Sequence, residues 1–253
     1  MIQDFTHPDT VEKVNKETQP FSETDKPWIG SLFPPETRRC SNLIGRSKTA
    51  IKEWLVDPLI RRLNAEFIDK TTHNYYGETR HTYTSEASCA ISVSFSIDPE
   101  ELLRDCFATT KTGMRLISIR PRQVIRKVQT HLWSSELVPR PGDDVVYAEH
   151  DVGEVWVMLG GVYHADGANT TSDKWRVVHG LFFTRGSMRQ EEDVYLANTA
   201  EEVLSWSPEA QKIAGCSISS QNVIFVNFLS PIQYFLTGGV VDHYGDLDAA
   251  DVK

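Results

Sequence analysis

The sequence predicts a mainly β protein, a jelly-roll-like barrel flanked by helices. Two observations favour this class. Several short segments alternate apolar and polar residues, which is the period of a half-buried strand, and glycine, proline and polar turns separate them. Helical spacing is limited to a segment before the strands and to two short helices late in the chain. With 253 residues, of which 40% are hydrophobic, the chain is long enough for one such barrel.

The N-terminal part of the sequence predicts an arm followed by two helices. Residues 1–35 are polar, contain five prolines and show no hydrophobic period, so we expect an extended arm. Apolar residues then recur at three- and four-residue steps between Ile51 and Phe67. Asp57 and Pro58 suit the N-cap and the first position of a helix, which indicates two consecutive helices.

The middle of the sequence predicts strands. Ile91, Val93 and Phe95 alternate with serines, which is typical of a half-buried strand over 91–97. Further short strands are predicted over 114–119, 124–128, 145–148, 154–159, 175–183 and 223–228.

Two helices are expected late in the chain. Thr199 and Glu202 form a capping-box pattern, and Ser207 precedes Pro208 as an N-cap, with Gly215 ending that helix. The predicted organisation is an extended arm over 1–35, a single β domain with N-terminal helices over 36–240, and an acidic tail over 241–253.

Composition excludes several functions. Twenty-six Lys+Arg against 35 Asp+Glu give a net charge of −9, which disfavours binding to nucleic-acid phosphates. No basic and apolar leader is visible, and no apolar run approaches the roughly 20 residues of a membrane span. We therefore expect a cytoplasmic protein that binds neither nucleic acid nor membranes. The scattered cysteines predict reduced, buried thiols, namely Cys40, Cys89, Cys106 and Cys216.

The residues alone give no complete metal site. Non-haem iron oxygenases hold Fe(II) with two histidines and one carboxylate, and the proximal pair commonly reads His-x-Asp. That pattern begins at His7, in the polar arm, and again at His164. The second case could be completed by His243, but no arginine follows to bind a dicarboxylate co-substrate.

A longer pattern surrounds His164. The sequence reads GGVYHADGANTT at 160–171, then Arg176, LFF at 181–183 and MRQEED at 188–193, preceded by LIGRS at 43–47, THLW at 130–133 and VVYAE at 145–149. This order and spacing resembles the fungal branch of the phytanoyl-CoA dioxygenase-like family, over roughly residues 25–240. These Fe(II)/2-oxoglutarate oxygenases act in meroterpenoid and alkaloid pathways. The resemblance implies their fold, a double-stranded β-helix, or cupin-like barrel.

The resemblance also implies a depleted site. His164 corresponds to the distal iron ligand and Asp105 to the carboxylate ligand. Arg176 and Thr171 correspond to the 2-oxoglutarate site, with Arg176 as the partner of the carboxylate, because a guanidinium binds a carboxylate bidentately. Leu103 stands where the family has its first iron histidine, and a leucine side chain offers no lone pair to a metal. We therefore expect a vestigial site that binds neither Fe(II) nor 2-oxoglutarate.

The register around Leu103 has an alternative. Asp98 and Pro99 also suit the start of a helix, in which case Leu103 is a core residue and Asp105 is solvated. The first iron histidine is missing under both interpretations. The family's Glu-Asn-Gly-Ala-Thr signature is missing too, and its region carries a basic cluster that either faces an acidic partner or is solvated, namely Arg115, Arg120, Arg122, Arg126 and Lys127.

Three functions follow. The first is a metal-free accessory subunit that pairs with a paralogous Fe(II)/2-oxoglutarate oxygenase in fungal meroterpenoid biosynthesis, with metal, co-substrate and a terpenoid-derived substrate in the partner's site. The second is an active oxygenase whose missing ligand comes from a partner residue or from His81, His131 or His243. The third is a cofactor-free isomerase or cyclase that uses Tyr163 or Asp166 for proton transfer.

Overall fold

A computed structural model gives the fold over most of the chain. It describes residues 1–27, 29, 37–97, 115–120, 126–128, 145–147, 151–159, 173–219, 224–227 and 229–239. The strands are β1 (Arg38–Ser41), β2 (Lys70–Tyr76), β3 (Thr79–Ser85), β4 (Ala87–Ile97), β5 (Arg115–Arg120), β6 (Arg126–Val128), β7 (Val145–Tyr147), β8 (Glu154–Leu159) and β9 (Arg176–Arg185). The helices are α1 (Pro8–Glu23), α2 (Leu43–Arg46), α3 (Pro58–Phe67), α4 (Val194–Ala197), α5 (Ala200–Ser205), α6 (Pro208–Ile213) and α7 (Pro231–Thr237), with a π-helical segment at Ala50–Leu55.

Most of the longer strands belong to one sheet. In the described residues its order is β1-β4-β9-β5-β8, and β2-β3 and β6-β7 form separate pairs. β1 pairs antiparallel with β4, and β5 pairs antiparallel with β8, so that Ser118 lies opposite Trp156. The prediction of a mainly β protein with flanking helices is confirmed. Strand β8 has the bounds predicted from its alternating pattern, and β4 and β9 extend the predicted strands by a few residues.

The chain divides into two compact units. One comprises Met1–Ser47 and Ser92–Phe182, and the other comprises Lys48–Ile91 and Phe183–Lys253. The core of the first includes Val14, Leu43 and Leu181. The core of the second includes Trp54 and Phe183. The prediction of a single domain over 36–240 stays a prediction, and the predicted tail over 241–253 lies outside the described residues.

The prediction of an extended arm over 1–35 is wrong for much of that segment, because Pro8–Glu23 is a helix. The side chain of His7 caps it by accepting a hydrogen bond from the Asp9 N–H, and Pro8 occupies its first position. Its buried stripe consists of Val11, Val14, Thr18 and Ser22. Half of that stripe is polar, which conceals the helical period from a search for apolar residues.

The other predicted helices begin at the expected caps. The Asp57 carboxylate accepts from the Leu59 N–H at 2.8 Å at the start of α3, and the capping box of Thr199 and Glu202 is complete. The Ser207 hydroxyl accepts from the Ala210 N–H at 3.2 Å in α6. No helix among the described residues is both long and apolar enough to cross a bilayer.

Two segments differ from the prediction. The hairpin β2-β3 is not foreseen, because its exposed, polar strands carry no apolar alternation and are held by cross-strand pairs such as His73 with Thr82. No strand forms over the described part of 223–228, because Ile224 and Asn227 adopt positive φ values of 65° and 51°. Left-handed residues break the extended backbone that a strand requires.

Gly153 sets the entry to β8 and gives a first testable prediction. Its φ is +93°, and a Cβ at this position would clash with the carbonyl oxygen of Thr6, whose N–H donates to the Gly153 carbonyl at 3.0 Å. We expect Gly153→Ala to lower the free energy of unfolding by about 2–4 kcal/mol, measured by urea denaturation. Gly77→Ala is the matched control, because Gly77 has φ +63° but open space around it. Equal losses in both variants would contradict the role of the Thr6 contact.

Candidate functional site

Strand β9 carries the one predicted site residue within the described chain, Arg176. Only 7% of Arg176 is exposed. Successive residues of a strand point to opposite faces, so Arg176 and Val178 share one face of β9 and His179 lies on the other. A buried guanidinium on a strand of a rigid sheet can bind a carboxylate bidentately, as the predicted role requires. The assignment of Arg176 to 2-oxoglutarate stays a prediction.

The remaining predicted site residues lie outside the described ranges. They are Leu103, Asp105, His164 and Thr171, together with Tyr163 and Asp166 of the isomerase hypothesis. The interpretations of 98–106 as an iron-site register or as a helix start lie outside them as well. A vestigial iron site therefore stays a prediction. Within the described residues, no three histidine, cysteine or acidic side chains are grouped so that they could hold a metal ion.

The face of β9 opposite Arg176 carries a buried histidine, His179, for which the sequence predicted no role. His179 is 1% exposed, and its Nε2 lies 2.7 Å from Asn15 Oδ1 of α1. Its Nδ1 lies 2.5 Å from Ser94 Oγ of β4. Because the amide oxygen of Asn15 can only accept, Nε2 carries a proton, and in the neutral imidazole Nδ1 then accepts from the Ser94 hydroxyl. The signal in the sequence is a histidine at a core-facing position of an otherwise apolar strand.

The other described histidines also have local partners. His7 caps α1, and His73 Nδ1 lies 3.0 Å from Thr82 Oγ1 on the exposed hairpin. The ring of His81 stacks on Tyr83 of the same hairpin, with ring centroids 6.3 Å apart. His81, one of the suggested replacement ligands, therefore lies on an exposed polar strand. The other two, His131 and His243, lie outside the described residues.

The Cys216 thiol and the buried tyrosine of the second unit, Tyr195, are not nucleophiles. Among the described residues, Cys40, Cys89 and Cys216 are buried and form no disulfide, as predicted, whereas Cys106 lies outside those residues. Burial raises the pKa of the Cys216 thiol to about 12. Burial also raises the pKa of Tyr195, whose hydroxyl donates to the Gly215 carbonyl at 2.6 Å. Both groups stay protonated near neutral pH and serve packing.

Charged side chains of the second unit form a linked cluster. Lys212 Nζ lies 2.7 Å from Glu86 Oε1, and Arg61 Nη2 lies 3.7 Å from Glu86 Oε2. Arg61 Nε also approaches Glu209 Oε1 at 3.4 Å. Beside them, Asp69 Oδ1 accepts from the Ala87 N–H at 2.7 Å. Burial raises the pKa of Asp69, and the nearby Glu86 carboxylate adds to this, against opposing effects of the Ala87 N–H, Arg61 and Lys212.

This cluster predicts a pH dependence of stability. Because its folded-state pKa is raised, Asp69 contributes stability that is fully present below its ordinary pKa of 3.8 and is lost as the pH rises through the raised value. Asp69→Asn keeps an acceptor for the Ala87 N–H but cannot ionise. We expect wild type to lose stability relative to Asp69→Asn as the pH rises from below 3.8 to neutrality, in urea unfolding at each pH.

A carboxylate with the opposite shift provides the control. Hydrogen bonds from the Thr199 backbone and side chain lower the pKa of Glu202, so its contribution is present above its ordinary pKa of 4.5 and is lost as the pH falls. Wild type should therefore gain stability relative to Glu202→Gln over the same rise in pH. A pH-independent difference between wild type and Asp69→Asn would contradict the assignment.

The second unit also contains a cavity of about 480 Å³. Residues of β3, the start of β4, the end of α6 and the segment after it line the cavity, together with residues at the start of α7. Arg176 does not line it, whereas Glu86 and Lys212 of the charged cluster do. Its size falls within the range of small-molecule sites.

Sequence comparison relates the chain to fungal enzymes. No family model matches it. It is 25% identical over 248 residues to the dioxygenase peniF of Penicillium patulum, covering 87% of this chain and 79% of that protein. It is 27% identical over 245 residues to the dioxygenase swnH1 of Arthroderma benhamiae, covering 85% of this chain and 78% of that protein.

Solved structures share the fold at low sequence identity. The non-haem, α-ketoglutarate-dependent epimerase SnoN from nogalamycin biosynthesis matches with a TM-score of 0.52 and 13% identity, over 77% of this chain and 82% of SnoN. HygX from Streptomyces hygroscopicus, with nickel and 2-oxoglutarate bound, matches with a TM-score of 0.51 and 9% identity, over 75% of this chain and 83% of HygX. The chain is therefore similar to fungal dioxygenases, in agreement with its resemblance to the phytanoyl-CoA dioxygenase-like family, and it has the cupin-like, double-stranded β-helix fold.

Proposed function

We propose that this chain is a non-catalytic accessory subunit of a fungal oxygenase complex. In this proposal it pairs with a paralogous Fe(II)/2-oxoglutarate oxygenase, stabilises it and shapes its substrate cavity. The metal, the co-substrate and a terpenoid-derived substrate of meroterpenoid biosynthesis are bound by the partner. The feature that carries the proposal is Leu103, which the resemblance aligns with the first iron histidine of the family.

The chemistry of the donor set supports this interpretation. Fe(II) in such enzymes needs two imidazoles and a carboxylate, and a leucine side chain supplies no donor while occupying the space of one. Asp105 and His164 alone would leave the ion with two protein ligands, too few for tight binding. The residues present therefore do not fit the metal, and we derive no reaction step through it.

The described histidines give further support. His179 is hydrogen-bonded through both ring nitrogens to Ser94 and Asn15, so neither nitrogen is available to a metal without breaking a buried contact. His73 and His81 belong to an exposed hairpin, and His7 caps α1. Each of these four histidines already has a local partner in the described part of the chain. The fold is nevertheless kept, and a surface that still binds a partner explains a fold kept without its chemistry.

Co-expression with each paralogous oxygenase of the same genome tests the proposal. We expect one paralogue to co-purify at equal stoichiometry by size-exclusion chromatography with light scattering, and the substrate to be converted only when both chains are present. A paralogue that forms no complex and makes the same product at the same rate without this chain would overturn the proposal. An unrelated oxygenase of the same fold is the control for non-specific association.

One observation favours a second candidate, an active oxygenase. Arg176 is buried on β9, where a guanidinium could bind the carboxylate of 2-oxoglutarate. In that case His131, His243 or a partner residue would have to supply the missing ligand. Consumption of 2-oxoglutarate by the purified chain alone would favour this candidate over the accessory subunit.

A further inference from the structure

We propose that the cavity of the second unit is a binding site for a neutral, polyhydroxylated small molecule of about the size of a disaccharide. The proposal does not depend on the accessory role, because no residue predicted to bind iron or 2-oxoglutarate is among the described residues that line the cavity.

Serines and threonines are the largest polar group among the described residues that line the cavity. They are Thr82, Thr84, Ser88, Ser217, Ser219 and Ser230. A hydroxyl donates one hydrogen bond and accepts others, so a wall of hydroxyls matches a ligand whose own hydroxyls do the same. Gln233 adds an amide with both capacities, and Tyr83, Ile218 and Ile224 supply apolar surface for the faces of a ring.

The charges in the wall cancel, which argues against a charged ligand. Lys212 and Glu86 are the charged lining residues, and they form an ion pair at 2.7 Å. Arg61 lies on the other side of the Glu86 carboxylate, at 3.7 Å. An anionic ligand would have to compete with Glu86 for Lys212, and a cationic one would have to compete with Lys212 and Arg61 for Glu86.

Hydrogen bonds and close packing within the protein hold the cavity wall in place. Gln190 Nε2 donates to the carbonyls of Cys89 and Ala214, each at 2.7 Å, and a Cβ on Gly215 would clash with this amide. Gly186 donates its N–H to the Glu86 carbonyl at 2.8 Å, and its neighbours leave no room for a side chain. A cavity built before binding loses less entropy when the ligand enters.

Isothermal titration of the full chain with sucrose, maltose and glucose tests the proposal. Glucose 6-phosphate serves as the charged counterpart and geraniol as the apolar one. We expect saturable binding of at least one neutral sugar. Ser217→Ala should weaken it by about 3- to 10-fold, the value of one hydrogen bond, and Ser217→Phe should abolish it by filling the cavity. Ser187 is exposed and does not line the cavity, so Ser187→Ala and Ser187→Phe are matched controls that should bind as wild type does.

Amide chemical shifts make the test independent of how well the variants fold. On addition of the bound sugar, the amides that move should include Gly186 and Ser217–Ser219 in the wild-type chain. No saturable binding of any neutral sugar, tighter binding of glucose 6-phosphate or geraniol, binding that survives Ser217→Phe in a folded chain, or shifts confined to residues outside the cavity would each overturn the proposal.

Discussion

Replacing His179 with alanine is expected to lower the free energy of unfolding by about 3–5 kcal/mol. The ring is 1% exposed and bridges Asn15 of α1 and Ser94 of β4. Its removal leaves a cavity beside β9 and takes away the hydrogen-bond partner of both polar groups. The cost of the cavity and the cost of the lost hydrogen bonds add, because the neighbouring side chains can fill such an enclosed space only if β9 or α1 moves. Urea unfolding followed by circular dichroism measures the loss.

His73 provides the matched control for this variant. It is a histidine with a similar hydrogen bond, to Thr82 Oγ1 at 3.0 Å, but on an exposed hairpin. His73→Ala should change the free energy of unfolding by no more than about 0.5 kcal/mol. His179→Gln, which keeps a donor and an acceptor, should recover part of the loss. If His179→Ala were no more destabilising than His73→Ala, the bridge between α1 and the sheet would not be a source of stability.

The second large effect concerns the oxygenase complex that we propose. Mutating an iron-binding histidine of the partner to alanine is expected to reduce product formation to background. Arg176→Met in this chain should change it by less than about threefold, because an accessory subunit binds no co-substrate. Leu103→His should be equally silent. Methionine has a volume similar to that of arginine and is tolerated in cores, so it removes the guanidinium with little change in packing.

The controls separate folding from chemistry. Complex formation by each variant is measured by size-exclusion chromatography before activity is compared, and Arg176→Lys, which keeps the charge, is included beside Arg176→Met. Loss of product with intact complex in Arg176→Met, together with recovery in Arg176→Lys, would contradict the accessory role and favour an active site in this chain.

Much of the fold was predictable because local signals agree with the final structure. The alternation of β8 and the caps at Asp57, Thr199 and Ser207 are encoded within a few residues, and each is found where it was expected. Helix α1 was missed because its buried stripe includes Thr18 and Ser22, which are buried polar residues. Their burial depends on tertiary packing, which no local pattern records.

The candidate site likewise contains one residue that the sequence identified and other groups that only the folded structure brings together. Arg176 was assigned through the family resemblance, and the structure places it in a buried position on β9, while its binding of 2-oxoglutarate stays a prediction. The hydrogen-bond network of His179, Ser94 and Asn15 joins residues far apart in sequence, so no sequence motif predicts it. The cavity of the second unit is likewise assembled from distant segments, and its hydroxyl groups carry no spacing that a search of the sequence could detect.

Iron content and 2-oxoglutarate consumption of the purified chain alone test the central claim most directly. The chain is expressed with added Fe(II), purified without chelator, and analysed for bound iron by mass spectrometry and for succinate production from 2-oxoglutarate. An active fungal relative prepared in parallel is the positive control. We predict iron far below one equivalent and succinate production no higher than in the absence of protein. One equivalent of iron together with 2-oxoglutarate turnover would contradict the account.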